Sequence, residues 1–164
     1  MTTTAQQTSS TDAAGAPIPD TERMLDDHRR PHGLDDATVA AVGRLTEALE
    51  TVERARGRLY DFHQLTGEAD FKAGDAADQL RKAGHAELAD RIEREIVGRN
   101  VLKGRWTFQI VEDYDDGYWS EFRRAERDVR EALTGGQRHV YEAELKEDRR
   151  THGQPGHEAR PPEV

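Results

Sequence analysis

Aromatic and acidic residues are concentrated in one short stretch of the chain. Six of the ten aromatic residues lie between Trp106 and Phe122, with five acids and no base among them. The aromatic residues are Trp106, Phe108, Tyr114, Tyr118, Trp119 and Phe122, and the acids are Glu112, Asp113, Asp115, Asp116 and Glu121. Apolar residues recur at helical spacing as Val111, Tyr114, Tyr118, Phe122, Ala125, Val129 and Leu133. This spacing predicts an amphipathic helix from about 105 to 134, whose apolar stripe needs partner helices to cover it.

A second long helix is predicted from about 36 to 66. Its apolar residues keep a heptad-like spacing, as Val42, Leu45, Leu49, Val52 and Leu59. Ala41, Ala48, Ala55 and Phe62 form a second row beside them. Together the two rows predict a buried face wider than a two-stranded coiled-coil seam. Either Asp35 or Asp36 is suited to cap the helix, and Gly67 is suited to end it.

The remaining segments are also predicted to be helical. Residues 68–98 read as two shorter helices separated by Ala83–Gly84–His85, with one kinked helix as the open alternative. A weakly amphipathic helix follows at about 138–150. Because no strand pattern has a partner of similar character, we predict an all-α fold, an antiparallel helical bundle of three to five helices with disordered termini. The predicted organisation is a mostly disordered N-terminal tail at 1–33, a helical bundle domain at 34–134, and a weakly amphipathic helix with a disordered tail at 135–164.

Composition restricts the classes of function. The chain has 164 residues, no cysteine and a formal net charge of -9. The lack of cysteine excludes disulfides, thiolate metal sites and cysteine nucleophiles. The acidic balance argues against nucleic acid as a partner, because sequence-independent binding to phosphates needs lysine and arginine. The sequence has no apolar run that could span a membrane and no secretory signal, so we expect a soluble cytoplasmic protein.

Two polar residues interrupt the apolar stripe of the first long helix. Arg56 and His63 stand where the heptad spacing expects hydrophobic side chains. One interpretation is a polar ligand pocket inside the bundle, where they face Glu112 or Asp115 with Tyr118 nearby. A buried arginine needs such a carboxylate, so this interpretation predicts an Arg56 pair with Glu112 or Asp115. The alternative is that the bundle opens at this level and both side chains reach solvent.

The acidic cluster at 112–116 raises the question of a metal site. Helical bundles hold di-iron carboxylate centres with glutamates and Glu-x-x-His motifs, and this chain has no Glu-x-x-His. An acidic start to a helix, favoured by the helix dipole, explains the cluster without a metal. We therefore predict no metal and no cofactor.

Candidate partner contacts lie outside the polar interruption. The pattern Arg-Arg-x-His-Gly occurs twice, at 29–33 and at 149–153, and could grip an acidic partner or a phosphate, although chance in an arginine-rich chain is the alternative. Trp106 and Trp119 are thirteen residues apart, so one is expected in the core and the other exposed. The partner-contact candidates are Arg29, Arg30, His32, Trp106, Trp119, Arg149, Arg150 and His152.

These features favour a non-catalytic role. Nucleophile-elbow, phosphate-loop and zinc motifs are absent, and Ser120 lies inside a predicted helix. We expect an interaction protein, an adaptor or scaffold, that binds another protein or itself. The alternative is a small ligand- or metal-binding bundle, and in that case an enzyme, with a polar pocket near Arg56, His63 and Glu112–Asp116.

Overall fold

The structure, a computed structural model, describes residues 18–160. This part of the chain forms five α-helices and no β-strand: α1 Asp36–Lys82, α2 Ala86–Glu95, α3 Thr107–Tyr114, α4 Ser120–Thr134 and α5 Val140–Arg149. Short 3-10 turns at Asp20–Glu22 and Asp26–His28 precede α1. The predicted all-α fold class is confirmed. Most of the predicted N-terminal tail lies outside the described residues.

Helix α1 begins where the sequence indicates and ends later than predicted. The Asp35 Oδ1 atom accepts a hydrogen bond from the Thr38 N–H at 2.8 Å, so Asp35 is the capping acid. The predicted end at Gly67 is wrong, because α1 continues through this glycine to Lys82. An interior glycine costs a helix only about 1 kcal/mol relative to alanine. The apolar spacing continues past it through Ala73 and Leu80, so continued packing offsets that cost.

Glycines with left-handed backbone end the next helices. Gly84 has φ +89° and follows α1, and Gly98 has φ +70° and follows α2. Gly135 and Gly136, with φ +61° and +83°, follow α4. Glycine adopts this conformation without the steric cost that other residues carry. The predicted separator at 83–85 and the predicted stops after α2 and α4 are therefore confirmed.

The predicted aromatic helix contains a π-helical segment. Residues Asp115–Trp119 form this segment between α3 and α4. Gly117 lies at its centre, and a Cβ built there would meet nothing within 4 Å. Gly117 therefore does not mark a close backbone contact. The wider π turn instead rotates the side chains that follow it relative to a regular helix.

The described residues form two compact units. The first contains residues 18–45 and 127–160, and the second is Thr46–Glu126. In the first unit, Val39, Val42 and Val140 are buried. A Cβ built on Gly43 of α1 would lie 3.0 Å from the Tyr141 Cβ atom of α5. The absent side chain at Gly43 thus lets α1 and α5 approach closely.

In the second unit, the segment from α3 to the first turns of α4 runs antiparallel to α1. Three contacts fix its register: Arg56 with Asp115, His63 with Thr107, and Thr46 with Glu126. Residues with higher numbers on α1 pair with residues with lower numbers on the facing segment, as an antiparallel arrangement requires. The buried apolar side chains of this unit are Val52, Ala77, Ala89 and Val111.

Candidate functional site

Arg56 and Asp115 form a two-pronged ion pair between α1 and the π segment. The Arg56 Nε and Nη2 atoms donate to Asp115 Oδ1 and Oδ2, each at 2.7 Å. The two side chains are 27% and 18% exposed, so water screens the pair only in part. The predicted pairing of Arg56 with a carboxylate of the aromatic segment is confirmed, with Asp115 as the acid. Glu112, the other predicted partner, is exposed.

Aromatic rings complete the surroundings of the Arg56 guanidinium. The Arg56 Cζ atom lies 4.2 Å from the centroid of the Trp119 ring and 4.9 Å from the centroid of the Tyr60 ring. The Tyr60 hydroxyl accepts a hydrogen bond from Arg56 and donates one to Asp115 Oδ2 at 3.2 Å. The hydrogen bonds from Arg56 hold the pKa of the Asp115 carboxyl below its usual range. Asp115 therefore stays ionised near neutrality, as in a structural ion pair, and is not a proton donor there.

His63 lies away from the acids it was predicted to face. Its Nδ1 atom is 2.7 Å from the Thr107 hydroxyl. The prediction that His63 faces Glu112 or Asp115 is wrong because of the antiparallel register. His63 lies seven residues after Arg56 on α1. In the antiparallel arrangement it therefore meets Thr107, which lies eight residues before Asp115.

Tyr118 does not belong to the covered face. Its side chain is 58% exposed. Its ring lies between those of Tyr114 and Phe122, tilted to both, with each pair of centroids 5.8 Å apart. The prediction that Tyr118 is buried is wrong, and Leu49 on α1 is only half-buried. The physical reason for the exposure of Tyr118 is the π segment. The predicted stripe assumes α-helical rotation at every residue, whereas a π-helical residue rotates the chain by a smaller angle.

The acidic cluster offers no ready metal site. Between residues 18 and 160, no group of three or more histidine, aspartate and glutamate side chains is placed to hold a metal ion. Asp113 pairs with Arg105 at 2.8 Å, and Asp115 is engaged by Arg56. Glu112 and Asp116 are exposed. Two acids of the cluster thus act in ion pairs within the chain.

The two Arg-Arg-x-His-Gly sequences make similar contacts in the first unit. The second arginine of each donates in two-pronged fashion to a carboxylate on α5, Arg30 to Glu144 and Arg150 to Glu147. Arg150 also donates to Glu22, and its side chain is only 3% exposed. These two arginines therefore serve the fold.

The other members of the two pentapeptides face outward. Arg29, Arg149 and His32 are exposed, and a role for them in binding a partner stays a prediction. The exposed His152 ring lies 3.8 Å from Glu22 and 3.7 Å from Glu147, so it adds a second cation beside Arg150 when protonated.

An apolar groove of about 430 Å³ lies in the second unit. Phe71, Ile96, Val101 and Trp106 contribute its apolar lining. Phe71 is 78% exposed and Trp106 is 45% exposed, which is unusual for large aromatic side chains. Trp106 was a predicted contact residue, whereas Phe71 was not. A signal for Phe71 is its position, because it lies off both apolar rows of α1 when these are continued past Gly67.

A second apolar feature is a row of residues along α1. Ala48, Ala55, Phe62, Ala69 and Ala76 follow one another at seven-residue intervals, and we call them the apolar row. The sequence predicts that Ala55 and Phe62 are part of a broad buried face. The structure contradicts this prediction, since Ala55 is exposed and Phe62 is 40% exposed. Ala69 and Ala76 are exposed as well, whereas Ala48 is half-buried. The α3–α4 segment covers only the neighbouring face, which carries Val52, Arg56 and His63.

Comparisons with known proteins give no family for the chain. No protein-family model, no curated protein and no solved structure matches it. Among the helices of residues 18–160, none combines the length and the apolar character needed to cross a membrane. The function is therefore argued from the two apolar surfaces of the second unit.

Proposed function

We propose that the chain is a non-catalytic interaction protein, and that it associates with itself through the apolar row of α1. The observation that carries the proposal is the exposure of this row from Ala55 to Ala76, over three heptads. Apolar residues repeated at seven-residue intervals over this length are typical of a helix that packs against another helix. The α3–α4 segment lies against a different face, so the row is left for a further helix.

The arrangement of the row favours a second copy as the partner. The row is symmetric about Phe62, with alanines seven residues away on each side at Ala55 and Ala69, and fourteen residues away at Ala48 and Ala76. An antiparallel pair of α1 helices related by a two-fold axis at Phe62 brings the two Phe62 side chains together at the centre and alanine opposite alanine on both sides of them. Such a self-complementary surface is what a two-fold dimer requires. The alanines on both sides of Phe62 are compatible with the usual distance of about 8–10 Å between packed helices.

The charges beside the row are compatible with self-association of an acidic chain. The positions three residues after the first four members of the row carry no acid: they are Thr51, Arg58, Leu65 and Lys72. Acids stand directly before four of the members, at Glu47, Asp61, Glu68 and Asp75. Arg58 pairs with Asp61, and Lys72 pairs with Glu68, within α1. These pairs neutralise two of the four acids beside the row, so only part of the net charge of -9 opposes the contact between two copies. Leu65, which is 62% exposed, adds apolar surface beside Phe62.

The oligomeric state tests this proposal. Sedimentation velocity and native mass spectrometry across micromolar concentrations are expected to show a dimer. Ala55→Glu places a carboxylate of each copy against the apolar row of the other. We therefore expect the dissociation constant of the dimer to rise at least about tenfold. Gln64→Glu is the matched control, since it adds the same charge to α1 at an exposed position off the row.

Circular dichroism should show that both variants keep their helical content, because alanine, glutamine and glutamate are all good helix formers. A chain that is monomeric at every concentration would contradict self-association. Equal dissociation of the two variants would show that added charge, and not the row, governs the assembly.

A further inference from the structure

The loop that borders the apolar groove differs in charge from the rest of the chain. Residues 98–105, which we call the basic loop, hold Arg99, Lys103 and Arg105 and no acid, within a chain of net charge -9. Arg105 is engaged by Asp113 at 2.8 Å. For Arg99 the structure gives a hydrogen bond to the Glu95 carbonyl oxygen at 3.2 Å, and within residues 18–160 it has no carboxylate partner.

The basic loop and the groove form one amphipathic surface. Arg99 and Asn100 line the groove together with Phe71, Ile96 and Trp106. One acid, Asp70, also lines it, and its Oδ1 atom accepts a hydrogen bond from the Gly98 N–H at 2.8 Å. Asp70 thus holds the loop against α1, whereas the Arg99 guanidinium still has donors to offer.

The geometry points to a binding site for a small amphiphilic anion, a medium-chain carboxylate whose apolar chain lies on Phe71, Ile96 and Trp106 and whose carboxylate pairs with Arg99. The groove volume of about 430 Å³ lies within the range of about 300–1,000 Å³ that is usual for small-molecule sites. Burial of the alkyl chain against these side chains supplies the affinity. The planar fork of Arg99 matches the two oxygens of a carboxylate and supplies the preference for an anion.

This site does not depend on the proposed self-association. Its discriminating residue, Arg99, is not part of the apolar row, and the variant that tests the row, Ala55→Glu, lies outside the groove lining. The monomeric Ala55→Glu variant is therefore expected to bind the anion as the original chain does.

The experiment compares decanoate with decanol, each below the concentration at which it self-associates, by isothermal titration calorimetry. We expect saturable binding of one decanoate per chain, and binding of decanol at least about fivefold weaker. Arg99→Gln should reduce decanoate affinity to that of decanol and leave decanol binding unchanged. Arg94→Gln is the matched control, because Arg94 is an exposed arginine of α2 that does not line the groove.

Two further measurements keep the site identifiable. Trp106 fluorescence should change on decanoate addition, and Trp106→Phe should remove that change while calorimetric binding persists. Phe71→Ser, at a side chain too exposed to support the fold, should weaken both ligands. Absence of saturable binding, equal effects of Arg99→Gln and Arg94→Gln, or binding to anionic lipid vesicles without binding to monomeric decanoate would each overturn the assignment.

Discussion

Single charged residues join the elements of this fold. Arg30 and Arg56 each donate two hydrogen bonds to a carboxylate on another element, and Arg150 joins Glu147 of α5 to Glu22. The buried apolar side chains of the described residues are small, mostly valine and alanine. The planar guanidinium matches a carboxylate with two parallel hydrogen bonds, which fixes geometry as well as energy. Ion pairs therefore set the register between elements whose apolar contacts alone leave it loosely defined.

The pair of Arg56 and Asp115 is expected to show strong energetic coupling. Arg56→Met and Asp115→Asn should each lower the free energy of unfolding by about 1–3 kcal/mol, because each leaves a partly buried charge without its partner. In a double-mutant cycle from urea unfolding, the coupling should exceed about 1 kcal/mol. The control is the exposed pair Arg58 and Asp61, where the coupling should stay below about 0.5 kcal/mol. Additive effects at Arg56 and Asp115 would show that the pair is solvated.

The buried Arg150 is expected to make stability depend on pH in the acid range. Its hydrogen bonds hold the pKa of the Glu147 carboxyl below its usual range. A group whose pKa is lowered by folding contributes stability that is fully present above its unfolded pKa, about 4.3 for glutamate. That stability is lost as the pH falls through the lower pKa of the folded state.

Urea unfolding between pH 2.5 and pH 7 checks this expectation. Arg150→Met should lower the free energy of unfolding near pH 7 by about 2–3 kcal/mol and flatten its fall below pH 4.3. Arg149→Met, at the exposed arginine next to it, should leave the curve nearly unchanged. Equal curves for the original chain and Arg150→Met would refute the assigned role of this ion pair.

At the scale of elements, the helices were predictable where local signals decide them. The Asp35 cap and the stops after α1, α2 and α4 follow from side-chain capping and from the left-handed freedom of glycine. Gly67 and the π segment were not predictable in this way. Whether a glycine ends a helix depends on whether packing on both sides of it continues, and a π turn depends on contacts across to α1. The Arg56–Asp115 pair of the site was predictable from charge, whereas the His63 contact required the register between helices.

Two glycines of α1 should respond in opposite directions to replacement by alanine. Gly57→Ala is expected to raise the free energy of unfolding by about 0.5–1 kcal/mol, because a Cβ there meets nothing within 4 Å and alanine is the better helix former. Gly43→Ala should lower it by about 1–3 kcal/mol, because its Cβ would lie 3.0 Å from Tyr141 Cβ and 3.1 Å from Tyr141 Cγ. Chemical denaturation measures both. Stabilisation by both substitutions would mean that α1 and α5 are not held at this distance.

For the whole molecule, the C-terminal residues make contacts that their composition does not predict. The Ala159 N–H donates to the Thr21 carbonyl oxygen at 2.8 Å, and Arg160 lies 3.4 Å from the Asp20 carboxylate. Deletion of residues 154–164 is therefore expected to lower the free energy of unfolding by about 1–2 kcal/mol. A Tm decrease of about 2–4 °C per kcal/mol follows for a chain of this size. A deletion of residues 161–164 alone keeps both contacts and is the control; an unchanged Tm in the longer deletion would contradict the attachment.

The sequence by itself determined the all-α class, an acidic cap at the start of α1, the glycine stops after α1, α2 and α4, and the need of Arg56 for a carboxylate. These features depend on periodicity, glycine conformation and the cost of burying a charge, all of which act locally or on single residues. Only the tertiary structure decided which apolar residues are covered. The apolar row and Tyr118 carry the same hydrophobic signal as Val52 and Val111, and a helix can cover only the face against which it packs. The register of α3 and α4 against α1 selects that face, and it leaves exposed the surfaces to which we assign partner and ligand binding.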